Sequence, residues 1–212
     1  MPRPRSLTDD QLVAAALAVV DRDGLSALTM RAVAKELGVA TMGLYRYVAD
    51  RQALELLVVD HVFRSVDLAL PDAGWQERVH VLLDRMRVAV ARHPAVVPLV
   101  LRHRQAAPAS LRLIEAMLAV LTDGGFDGTD RVLAQRTLIG HLLGFLQNEH
   151  FAALSGPGTI VMSELSPDEY PLLARTATDA RSVSPDEEFR RGLDIVLRGL
   201  VTNRARADGP VP

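Results

Sequence analysis

"TMRAVAKELGVATMGLYRYV" (residues 29–48) decides the fold of this 212-residue chain. Met30, Val33, Ala34 and Leu37 recur at helical spacing, which makes one side of a short helix apolar and puts Arg31 and Lys35 on another. Gly38 permits a sharp turn, Val39 plugs the space between helices, and a second apolar register, Leu44 with Val48, begins at once. Two short helices joined this way form a helix-turn-helix. With Leu44 and Val48 inward, Thr41, Met42, Gly43, Tyr45, Arg46 and Tyr47 are left outside. A helix over 41–47 is roughly 10 Å long, and its N-terminal half suits a DNA major groove. Gly43 lets the backbone approach, and the tyrosines can donate to phosphate oxygens while their rings stack on sugars or thymine methyls. Thr41 is expected to cap this helix and reach phosphate, helped by the positive helix N-terminus. Thr29, the cap of the preceding helix, belongs with the expected DNA-binding residues. Arg51 opens the next helix and adds a charge, and Arg3 and Arg5 lie on a Pro-rich arm suited to following the groove or the backbone.

Helix punctuation extends outward from this segment. Thr8 with Gln11 reads as a capping box and Leu7 with Leu12 as its hydrophobic staple, so a first helix is expected over 9–23, ended by Gly24. The next helices are expected over 29–37, 41–47 and, capped by Asp50, 51–68. The stripe Val79, Leu82, Leu83, Met86, Val90 marks a fifth, ending before His93-Pro94. Two proline-bounded stretches, 95–101 and 109–121, precede the turn "DGGFDG" and a long helix over 130–154, which "SGPG" at 155–158 breaks. "SPDE" occurs at 166–169 and at 184–187, each time with serine as cap, proline at the first helical position and glutamate placed to close a capping box. The last helix is expected over 185–203, with a frayed tail "RARADGPVP". No segment alternates as a strand would. The expected fold is all-α: an N-terminal three-helix helix-turn-helix DNA-binding domain and a larger helical ligand-binding and dimerisation domain, about nine or ten helices in all. The expected divisions are 1–50, 51–205 and a flexible tail at 206–212.

Composition limits the functions available. Apolar residues make up 49%, enough for a real core, and aromatic residues only 4%. A net charge of −2 argues against coating nucleic acid, so any DNA contact must come from a local concentration of cations. With no cysteine, disulfides and thiolate metal sites are excluded, which suits a reducing cytoplasm. The longest unbroken apolar run, residues 12–20, is far below the roughly 18 residues of a membrane span. No membrane association is expected, and the expected location is the bacterial cytoplasm, on the nucleoid when bound to an operator.

"LTMRAVAKELGV", a small residue pair, "LYRYV" and the helix-opening "DRQAL" resemble the DNA-binding signature of the TetR family of bacterial transcriptional repressors over about positions 10–57. More weakly, "GWQERV", "HP", "GGF" before the long helix and "FRRGLDIVLRGL" resemble the subgroup that contains the tetracycline repressor. The resemblance implies that Arg31 reads a base, that Thr41, Met42, Gly43, Tyr45, Arg46 and Tyr47 line the recognition helix, and that Arg51 binds phosphate. It also implies a homodimer on a palindromic double-stranded operator. The interface expected is a four-helix bundle of the long helix, with Gly140 and Gly144, and the last helix, with Phe189, Leu193, Val196, Leu197 and Leu200.

The middle helices carry more apolar surface than a simple stack fills, together with awkward polar residues: His103, His141, Gln147, Asn148 and His150. A small-molecule effector cavity is therefore expected, lined by Leu82, Met86, Val90, His103, Leu113, Met117, His141 and Phe145. The tetracycline-contacting histidine, asparagine and phenylalanine of the subgroup fall on Asp67, Leu82 and Met86. Its metal-binding histidine falls near His103 and the partner carboxylate on Asn148. Since a magnesium–tetracycline site needs oxygen-rich donors, a more apolar effector is expected, with no cofactor and no required metal. Its binding is expected to tilt the helix over 51–68, spread the two reading heads and release DNA. The alternatives are a DNA-binding regulator without an effector, and an enzyme working through His103, His141, Glu149 or His150. HExxH-type spacing is absent, and the sequence places no third ligand.

Overall fold

The structure, a computed structural model, describes residues 7–207, with side chains to residue 203. The Pro-rich arm with Arg3 and Arg5, and residues 208–212 of the expected tail, lie outside the described residues. Those described form eleven α-helices and two single 3-10 turns, with no strand. None of the helices is long and apolar enough to cross a membrane.

The chain divides into two compact units that do not follow sequence order, a different partition from the expected 1–50, 51–205 and 206–212. The first comprises the described residues up to Ala69 together with Arg85–Ala116. It holds α1 (Asp9–Asp23), α2 (Met30–Glu36), α3 (Thr41–Leu44) and α4 (Arg51–Arg64). It also holds the end of α5 (Trp75–Ala91), α6 (Val97–His103) and the start of α7 (Pro108–Asp123). α1 packs on α2 and α4, and α4 on α6. Leu12, Ala16, Val20, Val33, Leu44, Leu54 and Val58 are fully buried, the larger ones worth roughly 1.5–3 kcal/mol each by transfer. The capping box forms as expected: Thr8 Oγ1 accepts from the Gln11 amide, and Gln11 Oε1 accepts from the Thr8 amide. α4 is locked to α7 through Asp60, whose buried carboxylate accepts from the Ala109 amide at 2.6 Å and pairs with Arg64. Burial opposes ionisation of Asp60, but the Ala109 amide and Arg64 outweigh it and hold the carboxyl below its usual range.

The second unit holds the start of α5, the end of α7, α8 (Gly128–Ala152), α9 (Pro157–Ser163), α10 (Pro171–Ala180) and α11 (Pro185–Ala207). α8 packs on α11, and α9 packs on α10. Phe189 is fully buried, edge-on to Phe145 and stacked on His141.

Several boundaries differ from the sequence reading. The helix expected over 51–68 ends at Arg64, where Val66 bonds back to Phe63 in a tight turn. At 166–169, "SPDE" makes a turn closed by the Glu169 and Tyr170 amides on the Ser166 carbonyl, and α10 starts only at Pro171. The "SGPG" stretch does not merely break α8, because Pro157 opens α9. At 184–187 the start signal holds, with Ser184 Oγ accepting from the Glu187 amide. α11 continues through Ala207, so residues 206 and 207 of the expected tail are helical. With α9 the described helices number eleven, against the nine or ten expected.

Candidate DNA-binding interface

The helix-turn-helix starts on a side-chain cap and turns on backbone bonds. Thr29 takes an extended backbone and its hydroxyl accepts from the Ala32 amide at 3.1 Å, which starts α2. Gly38, at φ 68°, makes the turn, and the Val39 amide returns to the Ala34 carbonyl. Only glycine adopts that backbone angle without strain. The expected threonine cap of α3 is corrected: Ala40 is the N-cap, and no side chain bonds there. The bond from the Gly43 amide to the Ala40 carbonyl closes the first turn, so Thr41 is already helical. The α-helix covers four residues, not the expected seven. Tyr45, Arg46 and Tyr47 continue it as a tighter turn, in which the Tyr47 amide bonds to the Leu44 carbonyl.

Leu44 and Val48 point inward as expected, which orients everything else. Met42 is 78% exposed and Tyr45 46%, Arg46 is exposed, and Thr41 and Gly43 are half-buried. Arg31 and Lys35 are exposed on α2. Among the described residues no carboxylate forms a salt bridge with Arg31, Lys35 or Arg46, which leaves a cationic, partly aromatic surface. Tyr47 also braces the fold: its Oη accepts from the Leu7 amide at 3.3 Å, tying the entry to α1 to the recognition segment.

Arg51 is the first residue of α4, behind Asp50, whose carboxylate caps the helix by accepting from the Ala53 amide at 2.8 Å. The sequence reading missed what holds Arg51. Its Nε donates to Oε1 of the buried Glu55 at 2.7 Å. The other oxygen of that carboxylate lies 3.1 Å from Arg102 Nη1 and 2.9 Å from His103 Nε2, both at the end of α6. Burial works against an ionised Glu55, yet the bonds from His103 and Arg51 and the charges of Arg51 and Arg102 prevail and hold its carboxyl below the usual range. Arg51 and Glu55, four apart on a helix, were a legible pair. The partners from α6 were not.

The residues expected to line an effector cavity are largely interior. Leu82, Met86, Val90, His103, Leu113, Met117 and Phe145 are buried, and His141 is half-buried. His103 is engaged with Glu55, while His141 Nε2 lies 3.1 Å from the Phe189 carbonyl. Burial above all pushes the His141 imidazole below its usual 6.5, against the Phe189 bond. Asp67 pairs with Arg85 and accepts from the Ala69 amide. Asn148 and His150 are exposed and Glu149 is half-buried. Among the described residues no three of His, Asp or Glu gather as metal ligands would.

Most of the chain compares with known proteins. Residues 12–55 match the description "Bacterial regulatory proteins, tetR family", and residues 69–204 match "Tetracyclin repressor-like, C-terminal domain". The chain belongs to the TetR family. It is 29% identical over 94% of its length to the HTH-type transcriptional repressor DrrR1 of Streptomyces coeruleorubidus, 78% of which is covered. It is 30% identical over 92% of its length to the class D tetracycline repressor protein of Escherichia coli, 89% of which is covered. Among solved structures, the TetR family protein ActR of Streptomyces coelicolor in complex with (S)-DNPA superposes with a TM-score of 0.79 at 26% identity. That match covers 93% of this chain and 98% of ActR. This TetR member is a DNA-binding transcriptional repressor, and residues 29–48 are its helix-turn-helix.

Proposed function

We propose that the chain acts as a homodimer on a palindromic operator in the bacterial cytoplasm, with the exposed face of residues 41–47 in successive major grooves, and that a small, largely apolar molecule releases it. The observation that carries this reading is the division of the recognition segment. Leu44 and Val48 are buried, while Met42, Tyr45 and Arg46 face outward, and among the described residues no carboxylate pairs with Arg46. In this reading Arg31 contacts a base and Arg51 a phosphate. The effector reading is supported by the ActR complex with (S)-DNPA and by the mostly apolar character of the expected lining residues. Release operates through α4, which follows the helix-turn-helix directly and is held to α6 by Glu55 and to α7 by Asp60. A ligand favouring the released form by only a few kcal/mol shifts occupancy strongly.

The reading is tested by selecting duplexes from a randomised library with the purified protein, then titrating the selected DNA by fluorescence anisotropy against a panel of aromatic antibiotics and metabolites. Enrichment of inverted half-sites is expected, about one helical turn or a multiple apart, with at least one compound displacing the DNA. Enrichment of single, unpaired sites would reject the dimeric operator. Compounds that bind tightly yet leave the DNA bound would reject the release step.

A further inference from the structure

We propose that Arg102, on α6, is a second phosphate-contacting side chain of the DNA interface, held beside Arg51 by their shared partner Glu55. The inference rests on the DNA-binding reading and extends its contact surface beyond the helix-turn-helix. Arg51 Nε and Arg102 Nη1 bond to opposite oxygens of one carboxylate, which keeps the two guanidiniums within a side chain's reach of each other. Their burial differs sharply from that of their partner. The Glu55 side chain is 3% exposed, Arg51 45% and Arg102 61%.

The negative charge of this cluster is therefore hidden and its positive charge presented to solvent. Two guanidiniums around one carboxylate leave a positive surplus even with neutral His103. Each guanidinium carries five N–H donors in a planar fork. The contact with Glu55 uses the Nε donor of Arg51 and one Nη1 donor of Arg102, leaving the outer edges of both groups for an oxyanion. The acid nearest in sequence, Asp50, turns its carboxylate to the Ala53 amide. Phosphate is the chemistry that fits such a pair: it is anionic, accepts several donors and is suited to bidentate arginine contacts. Arg51 stands at the first position of α4, just past the recognition segment, and Arg102 shares its carboxylate partner.

The test measures the affinity of the full chain for a labelled duplex selected by the protein, and for a random duplex, across a potassium chloride series. Arg102→Ala is expected to lower the slope of log affinity against log salt by about 0.9, the contribution of one phosphate contact. It is also expected to weaken both duplexes alike, by roughly tenfold. Arg102→Lys, which keeps the charge, is expected to restore most of the slope. Thermal melting of each variant separates a lost contact from a loosened fold around Glu55. An Arg102→Ala chain that keeps both its melting point and the wild-type slope overturns the inference alone. So does a lowered slope that Arg102→Lys fails to raise. Failure of the unaltered chain to bind any duplex overturns the DNA-binding reading and this inference together.

Discussion

Arg31 and Arg51 lie on either side of the recognition segment, in different surroundings that support the different roles proposed for them. Arg31 stands exposed at the second position of a well-capped helix, with no salt bridge to fix it among the described residues, as a side chain that meets a base edge should stand. Arg51 is anchored through Nε to a buried carboxylate, an arrangement that fixes a cation in place irrespective of base sequence. Arg31→Ala should cost about 1–3 kcal/mol on the selected operator and flatten preference at one base pair. Arg51→Ala should weaken every duplex similarly and lower the salt slope by about 0.9. Indistinguishable profiles for the two variants across a randomised operator library would count against this division. Both arginines were legible in the sequence, Arg31 because helical spacing left it off the apolar face and Arg51 because it opens the helix capped by Asp50. The hold of Glu55 on Arg102 and His103 was not, since 47 and 48 residues separate it from these partners on α6.

Among the elements, the crossing of α8 and α11 leaves little room. A Cβ built on Gly192 falls 2.7 Å from Cε1 of His141, whose ring is stacked on Phe189 and bonded to its carbonyl. Gly192→Ala is therefore expected to force the ring off Phe189 and lower stability by about 1–3 kcal/mol, read by denaturant unfolding of the full chain. A Cβ on Gly158, near the start of α9 and outside the proposed interface, meets nothing within 4 Å. Gly158→Ala, as the control, should leave stability unchanged or raise it by up to about 1 kcal/mol through helix propensity. Equal destabilisation by both would show that the His141 contact is unimportant. Gly192 and Gly199, seven apart, look equivalent in the sequence, yet a Cβ on Gly199 meets no neighbour within 4 Å. Only the packing of α8 on α11 separates their roles. Helix starts were mostly readable because a cap acts over three residues. The length of α3 and the "SPDE" turn at 166–169 were not, because a short stretch has too few hydrogen bonds of its own to fix its conformation.

At the scale of the whole molecule, the proposed dimer needs a surface that is still free. Phe189, Leu193 and Leu197, expected at the interface, are buried within their own chain, and Val196 and Leu200 are half-buried. The aromatic packing of Phe189 on His141 and Phe145 turns that stripe of α11 inward. The outward stripe of α11 carries Ile195, 63% exposed, and Gly199, while that of α8 carries Leu133, 53% exposed, with Gly140 and the half-buried Gly144. A four-helix bundle between two copies is therefore proposed on these residues. Ile195→Glu should convert the dimer to monomer in size-exclusion chromatography with light scattering, and should weaken operator binding far more than binding of a single half-site. A variant that stays dimeric would place the interface elsewhere.

The sequence by itself determined the helical class, the caps that begin α1, α2, α4 and α11, and the outward face of the recognition segment. Each of these depends on residues within a few turns of one another, where spacing alone decides which side chains share a face. Only the tertiary structure decided which stripe of α11 is interior, what Gly192 must clear, and that Glu55 gathers two arginines and a histidine. Those outcomes join residues roughly 50 positions apart in the chain, and a contact of that kind arises only when separate helices pack together.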